Sequence, residues 1–152
     1  MVLRIMVLRI ILAAVAAHML GFLWYGPLFG KKWMSLMGLT EKDKEKAKQK
    51  GMAKTYLMSF VASLVMAAVL DFVIGEIGFV DFTGATPALW NVLGGALAGA
   101  LVWLGFVATK SLGSVFWEGK SWGLYFLNTA YDLVNLLLMG AIVGGLSAFG
   151  WA

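Results

Sequence analysis

The sequence has no cysteine, one histidine and two prolines. Without cysteine there is no disulfide frame and no thiolate metal site. A single imidazole excludes the usual zinc sets and, with no thiol, c-type haem attachment. Charge is scarce as well: 13% of residues are Asp, Glu, Lys or Arg, against 61% apolar. A soluble domain runs nearer a quarter charged and half apolar. No P-loop is present and no GxGxxG opens a helix after a strand. Gly94-Gly95 enters an apolar run, so it reads as packing. Ser63 has no base at a motif spacing, so no nucleophile set is signalled. These absences point to no catalytic residue, metal or cofactor, and to a non-enzyme more readily than an enzyme.

What is present is apolar surface. A chain of 152 residues is one domain, and it is too small to bury this much apolar surface internally. Lipid must cover the rest. Four runs approach the ~20 residues that cross a hydrocarbon core of about 30 Å: about 10–25, 56–75, 88–108 and 124–148. Their length and lack of alternation exclude barrel strands. The expected fold is all-α, a four-transmembrane-helix bundle in the cell's inner membrane. Arg4, Arg9 and Ala14-Val15-Ala16 resemble a signal peptide, but the apolar run continues to Phe29. The opening "MVLRIMVLRI" is a perfect tandem, read as a replication slip or an alternative start at Met6.

Lysine sets the expected orientation. Eight lysines fall between Lys31 and Lys54, and Lys110 and Lys120 flank the connection between spans three and four. The connection between spans two and three carries only Glu76 and Asp81, with Asp71 nearby. The positive-inside rule then makes 31–54 cytoplasmic and both termini external. Arg4 and Arg9 dissent. Trp24, Trp33, Trp117 and Trp122 mark the inner interface, Trp90 and Trp151 the outer. Within 31–54, Trp33, Leu36 and Met37 share a helical face suited to the headgroups. Thr40 and Asp43 form a capping-box pattern ahead of the solvated helix "EKDKEKAKQK". That segment reads either as a topology signal and soluble cap or as an attractor of anionic lipid headgroups, at about 1 kcal/mol per lysine. Lysine at a membrane surface gives no argument for nucleic acid.

Span two aligns on span four without gaps: Tyr56 on Tyr125, Leu64 on Leu133, Gly75 on Gly144. Spans one and three share "LGF" at Leu20 and Leu104. Both features fit a parallel two-helix repeat about an axis along the membrane normal. Small residues recur at helical spacing: Ala13, Ala17 and Gly21 on span one, Gly95 and Gly99 on span three, Gly140 and Gly144 on span four. Close backbone contact drives helix association in lipid. Spans three and four are therefore expected to touch in their outer halves, or one motif to form a subunit contact. So many small faces motivate a homo-oligomer, most simply a dimer.

Three blocks, "GFLWYGPLFGKKWMSLMGLT", "LVWLGFVATKSL" and "NTAYDLVNLLLMGAIVG", resemble in this order the bacterial membrane family catalogued as domain of unknown function 1761. The resemblance runs from about Leu12 to Leu146. It implies a four-span membrane protein and no reaction, substrate or cofactor.

Polar residues within spans are costly, and they are paired or functional. Asn128, Asp132 and Asn135 fall at i, i+4 and i+7 on span four, bordered by Tyr131. Asp132 lies about 15 Å past Trp122, and His18 about 10 Å before Tyr25. Matched depth predicts one shared site of His18, Asn128, Tyr131, Asp132 and Asn135, with Lys110 at its edge. Asp71 is expected to reach water. Three readings stay open: a small oligomeric transporter or channel lined by the Asp132 face, a structural or accessory protein whose polar residues are interhelical glue, and a lipid- or quinone-binding protein using Trp103, Phe106 and Tyr131.

Overall fold

A computed structural model describes residues 2–49, 51–78, 80–81 and 86–147. These are helical, with no strand among them. Trp151 and the expected end of span four at 148 lie outside the described residues. Helix α1 (Val2–Leu23) passes through a π-helical segment, Trp24–Leu28, into the short α2 (Gly30–Leu36). The solvated α3 (Glu41–Gln49) precedes the long α4 (Ala53–Ile77). Helix α5 (Ala88–Val102) passes through a second π segment, Trp103–Ala108, into α6 (Thr109–Ser111) and α7 (Gly113–Phe116), and α8 (Trp122–Ser147) follows. Long helix, π segment, short helix and long helix thus recur in both halves.

Four segments are long and apolar enough to cross a membrane: Leu3–Leu28, Ala53–Glu76, Ala88–Phe116 and Trp122–Ser147. The protein is a multi-pass membrane protein by this measure. The first segment is wider than the run that begins after Arg9, for two reasons. Arg9 has its countercharge inside the bundle, on Asp71. Gly26-Pro27 does not end the helix either, because Pro27 is taken into the π turn, where the wider winding re-routes the ladder around the missing N–H.

Span four is central. Of its most apolar window 39% is buried, against 17–22% in the other three. It packs along span three over most of its length and against span one, which in turn carries span two. The interface of spans three and four is built on glycine. A Cβ on Gly95 would overlap the Gly140 carbonyl, one on Gly140 the Gly95 carbonyl, one on Gly144 the Asn91 carbonyl, and one on Gly99 the Leu136 carbonyl. Both GxxxG motifs therefore meet within one chain. On span one Ala13, Ala14 and Ala17 are fully buried beside Ala67, Ile74, Met139 and Val143. These small-residue faces pack inside the bundle.

Cross-helix bonds fix the register. The Trp103 indole donates to the Thr129 carbonyl at 2.7 Å, and the Tyr125 hydroxyl donates to the Ala108 carbonyl at 3.1 Å. At the end opposite the lysines, the Asn91 amide donates to the Asp81 carbonyl and accepts from its N–H, each at 2.9 Å. The capping box forms: Thr40 N–H and Oγ1 donate to the Asp43 carboxylate at 2.9 and 2.6 Å. These bonds hold the Asp43 carboxyl below the usual carboxylate range, the Thr40 side chain first and its backbone second.

Candidate functional site

Asn128, Tyr131, Asp132 and Asn135 rise along one face of span four toward the end of span one. Gly21 makes the approach possible: a Cβ there would stand 3.0 Å from the Tyr131 hydroxyl. One turn on, the π segment presents Trp24 and Tyr25. The Tyr25 hydroxyl donates to Asn128 Oδ1 at 3.2 Å. Its ring lies edge-on to Tyr131, with centroids 4.9 Å apart, and to Trp33, 5.7 Å away. Trp24 lies 6.0 Å from Tyr131. A half-buried carboxylate, Asp132, follows Tyr131 on span four.

The spans hold two buried or half-buried carboxylates, treated in opposite ways. Asp71 is 7% exposed and carries its countercharge. Arg9 Nε and Nη2 lie 2.5 and 3.0 Å from its two oxygens, a forked pair between spans one and two. The expectation that Asp71 reaches water is thereby corrected: span one shields it and supplies the cation. Asp132 forms no hydrogen bond or ion pair among the described residues. Two further polar atoms on these elements are buried without a partner, the Trp24 indole nitrogen and Asn135 Oδ1.

The residues expected to share the site divide. Asn128, Tyr131 and Asp132 come together, and Asn135 lies one turn deeper on the same face. The His18 ring lies edge-on to Tyr56 and Phe60 of span two, with centroids 6.3 and 5.7 Å away, and no hydrogen bond or ion pair links it to Asp132 among the described residues. Lys110 is exposed at the end of span three, without an ion pair to Asp132. Sequence reasoning missed Trp24, Tyr25 and the Arg9–Asp71 pair. The available signal for Tyr25 was its place beside Gly26-Pro27, since π segments gather at functional sites. Among the described residues no group of three or more His, Asp or Glu could hold a metal.

No curated protein and no solved structure matches the chain. Residues 8–144, most of the chain and both elements of the site, match the model of the protein family of unknown function DUF1761, and the chain belongs to that family.

Proposed function

We propose that Asp132 is the working group of a small transporter, taking up a proton or a small cation at the lysine-bearing end of the bundle. One observation carries this reading: Asp71 is neutralised by a built-in arginine and Asp132 is not. An unpaired carboxylate in an apolar span is costly, and uptake of a proton or cation relieves that cost. The Tyr25–Asn128 bond lies one turn away on span four, and the buried Asn135 Oδ1 adds an acceptor one turn deeper. His18 faces span two and Lys110 is exposed. The interior beyond is filled by Ala13, Ala17, Met139 and Val143, all fully buried. A complete pathway would therefore run between copies of the chain.

Infrared difference spectra of the protein in nanodiscs, across a pH step and on addition of Li⁺, Na⁺ or K⁺, test this. The expected result is a carboxyl band that responds to the step or the ion, is lost in Asp132→Asn and survives in Asp71→Asn. An identical response in wild type and Asp132→Asn overturns it. The structural reading draws on the Tyr25–Asn128 bond between spans one and four; it requires Asp132→Asn to keep the fold with no responsive band in the wild type.

A further inference from the structure

A second feature at the same end stands independently of Asp132. Residues of the π segment, α2 and α3 line a pocket of about 360 Å³, among them Tyr25, Gly26, Leu28, Lys31, Met34 and Lys44. That volume is in the range of small-ligand sites. Its polar groups are two lysines brought from different helices, Lys31 on α2 and Lys44 on α3. Lys31 forms no ion pair among the described residues. Lys44 is held only by Glu41, 3.4 Å away, in an exposed i,i+3 pair. Such pairs contribute little and yield to a stronger anion. Asp43 is occupied by the Thr40 cap.

The pocket's place narrows the ligand. Tyr25 lines it with the Trp33 ring 5.7 Å from its own, and Trp and Tyr collect at headgroup level. Leu28 lines it and is 61% exposed, so an apolar wall adjoins the two cations. We infer that this pocket is a binding site for a phosphate group, clamped between Lys31 and Lys44 at the membrane interface. Two sources share that chemistry: the headgroup of an anionic phospholipid, whose acyl chain would start over Leu28, and free phosphate.

Gly26 gives a variant that fills the pocket. A Cβ built there meets nothing within 4 Å, and its backbone φ is not positive. A side chain before Pro27 disfavours helical backbone, so Gly26→Phe is read together with the lysine variants and with its circular dichroism against wild type. The wild type, Lys31→Gln, Lys44→Gln, Gly26→Phe and the control Lys48→Gln, which alters a lysine of α3 outside the pocket, are placed in two kinds of nanodisc. One is phosphatidylcholine alone, and the other is phosphatidylcholine with phosphatidylglycerol. Phosphatidylglycerol retained after re-extraction is read by mass spectrometry, and inorganic phosphate binding in the phosphatidylcholine discs by ³¹P line broadening. The expected result is phosphatidylglycerol enrichment that falls about five-fold with each pocket lysine removed, falls equally with Gly26→Phe and holds in Lys48→Gln. Phosphate broadening with the same variant pattern, and no lipid enrichment, assigns the site to free phosphate. The inference is overturned if Lys48→Gln loses as much as the pocket variants, which is diffuse surface attraction, or if Gly26→Phe changes neither readout.

Discussion

Removing one partner of the Arg9–Asp71 pair should cost far more than removing both. The two side chains are 11% and 8% exposed and meet through two short contacts. Arg9 lies six residues inside the start of the first span, and Asp71 five residues inside the end of the second, so both sit roughly 7–9 Å below the bundle's end. A lone charge at a helix centre costs about 2.5–3.5 kcal/mol on the insertion scale, and somewhat less at this depth. Arg9→Leu strands the carboxylate and Asp71→Leu strands the guanidinium. Each should lower stability by about 2–3 kcal/mol. The double substitution removes both charges, and replacing a buried pair by apolar side chains is close to neutral. The coupling is then about 4–6 kcal/mol. Reversible unfolding in mixed micelles under increasing SDS, for wild type, both singles and the double, closes the cycle. Additive singles would show that the pair is no more than a coincidence of position, and the reasoning above would fail.

Gly95→Ala and Gly140→Ala each force a Cβ into a facing carbonyl and should cost about 1–3 kcal/mol in the same assay, whereas Gly105→Ala, where a Cβ meets nothing within 4 Å, should be neutral. Single cysteines at Gln49 and Glu76, both exposed, test orientation with an impermeant thiol reagent on intact cells: position 76 should label and position 49 should not. Asp43 has a depressed folded-state pKa, so its contribution to the α3 cap is present above the ordinary carboxyl pKa near 3.8 and is lost as pH falls through the lower folded value; amide exchange at residues 41–45 should rise only below that range. Deleting residues 1–5 keeps Arg9 and removes the exposed Arg4, so the shortened chain should unfold at the same SDS fraction as the full chain.

The spans, the small-residue stripes and the capping box were legible because each depends on spacing along one helix. The GxxxG motifs of spans three and four could be matched by counting depth from the flanking residues, and the glycines do meet. Depth also singles out a pair that went unmatched. Arg9 lies about 24 Å before Tyr25, and Asp71 about 22 Å past Tyr56, which puts guanidinium and carboxylate level. Treating Arg9 as the charged limit of span one hid this. The same counting placed His18 level with Asp132, where depth alone is insufficient. Gly21 faces Tyr131, and His18, three residues earlier, is turned by about 60° around the helix. That rotation carries its ring to Tyr56 and Phe60. Which neighbour covers which face of span one is a property of the bundle's order in space, and no spacing within a single helix encodes it.

That order also explains why polarity gathers at one end. Toward the end away from the lysines, α5 and α8 approach with backbone against backbone through Gly95, Gly140 and Gly144, and Arg9 and Asp71 neutralise each other between spans one and two. Toward the lysines the helices cannot close in the same way. Span one leaves regular geometry at Trp24–Leu28 and span three at Trp103–Ala108, and large rings replace glycine at the contacts: Trp24, Tyr25 and Tyr131 on one side, Trp103 and Tyr125 on the other. At the end of the second π segment the Tyr125 hydroxyl donates to the Ala108 carbonyl. In span one the corresponding turn instead holds Tyr25 against Asn128 and leaves the Trp24 indole nitrogen buried and unbonded. The two halves therefore use the same irregularity differently. In the second half it ties spans three and four together. In the first it lies between the Asn128 face of span four and the Lys31–Lys44 pocket. Tyr25 borders both: its hydroxyl meets Asn128, and it lines the Lys31–Lys44 pocket.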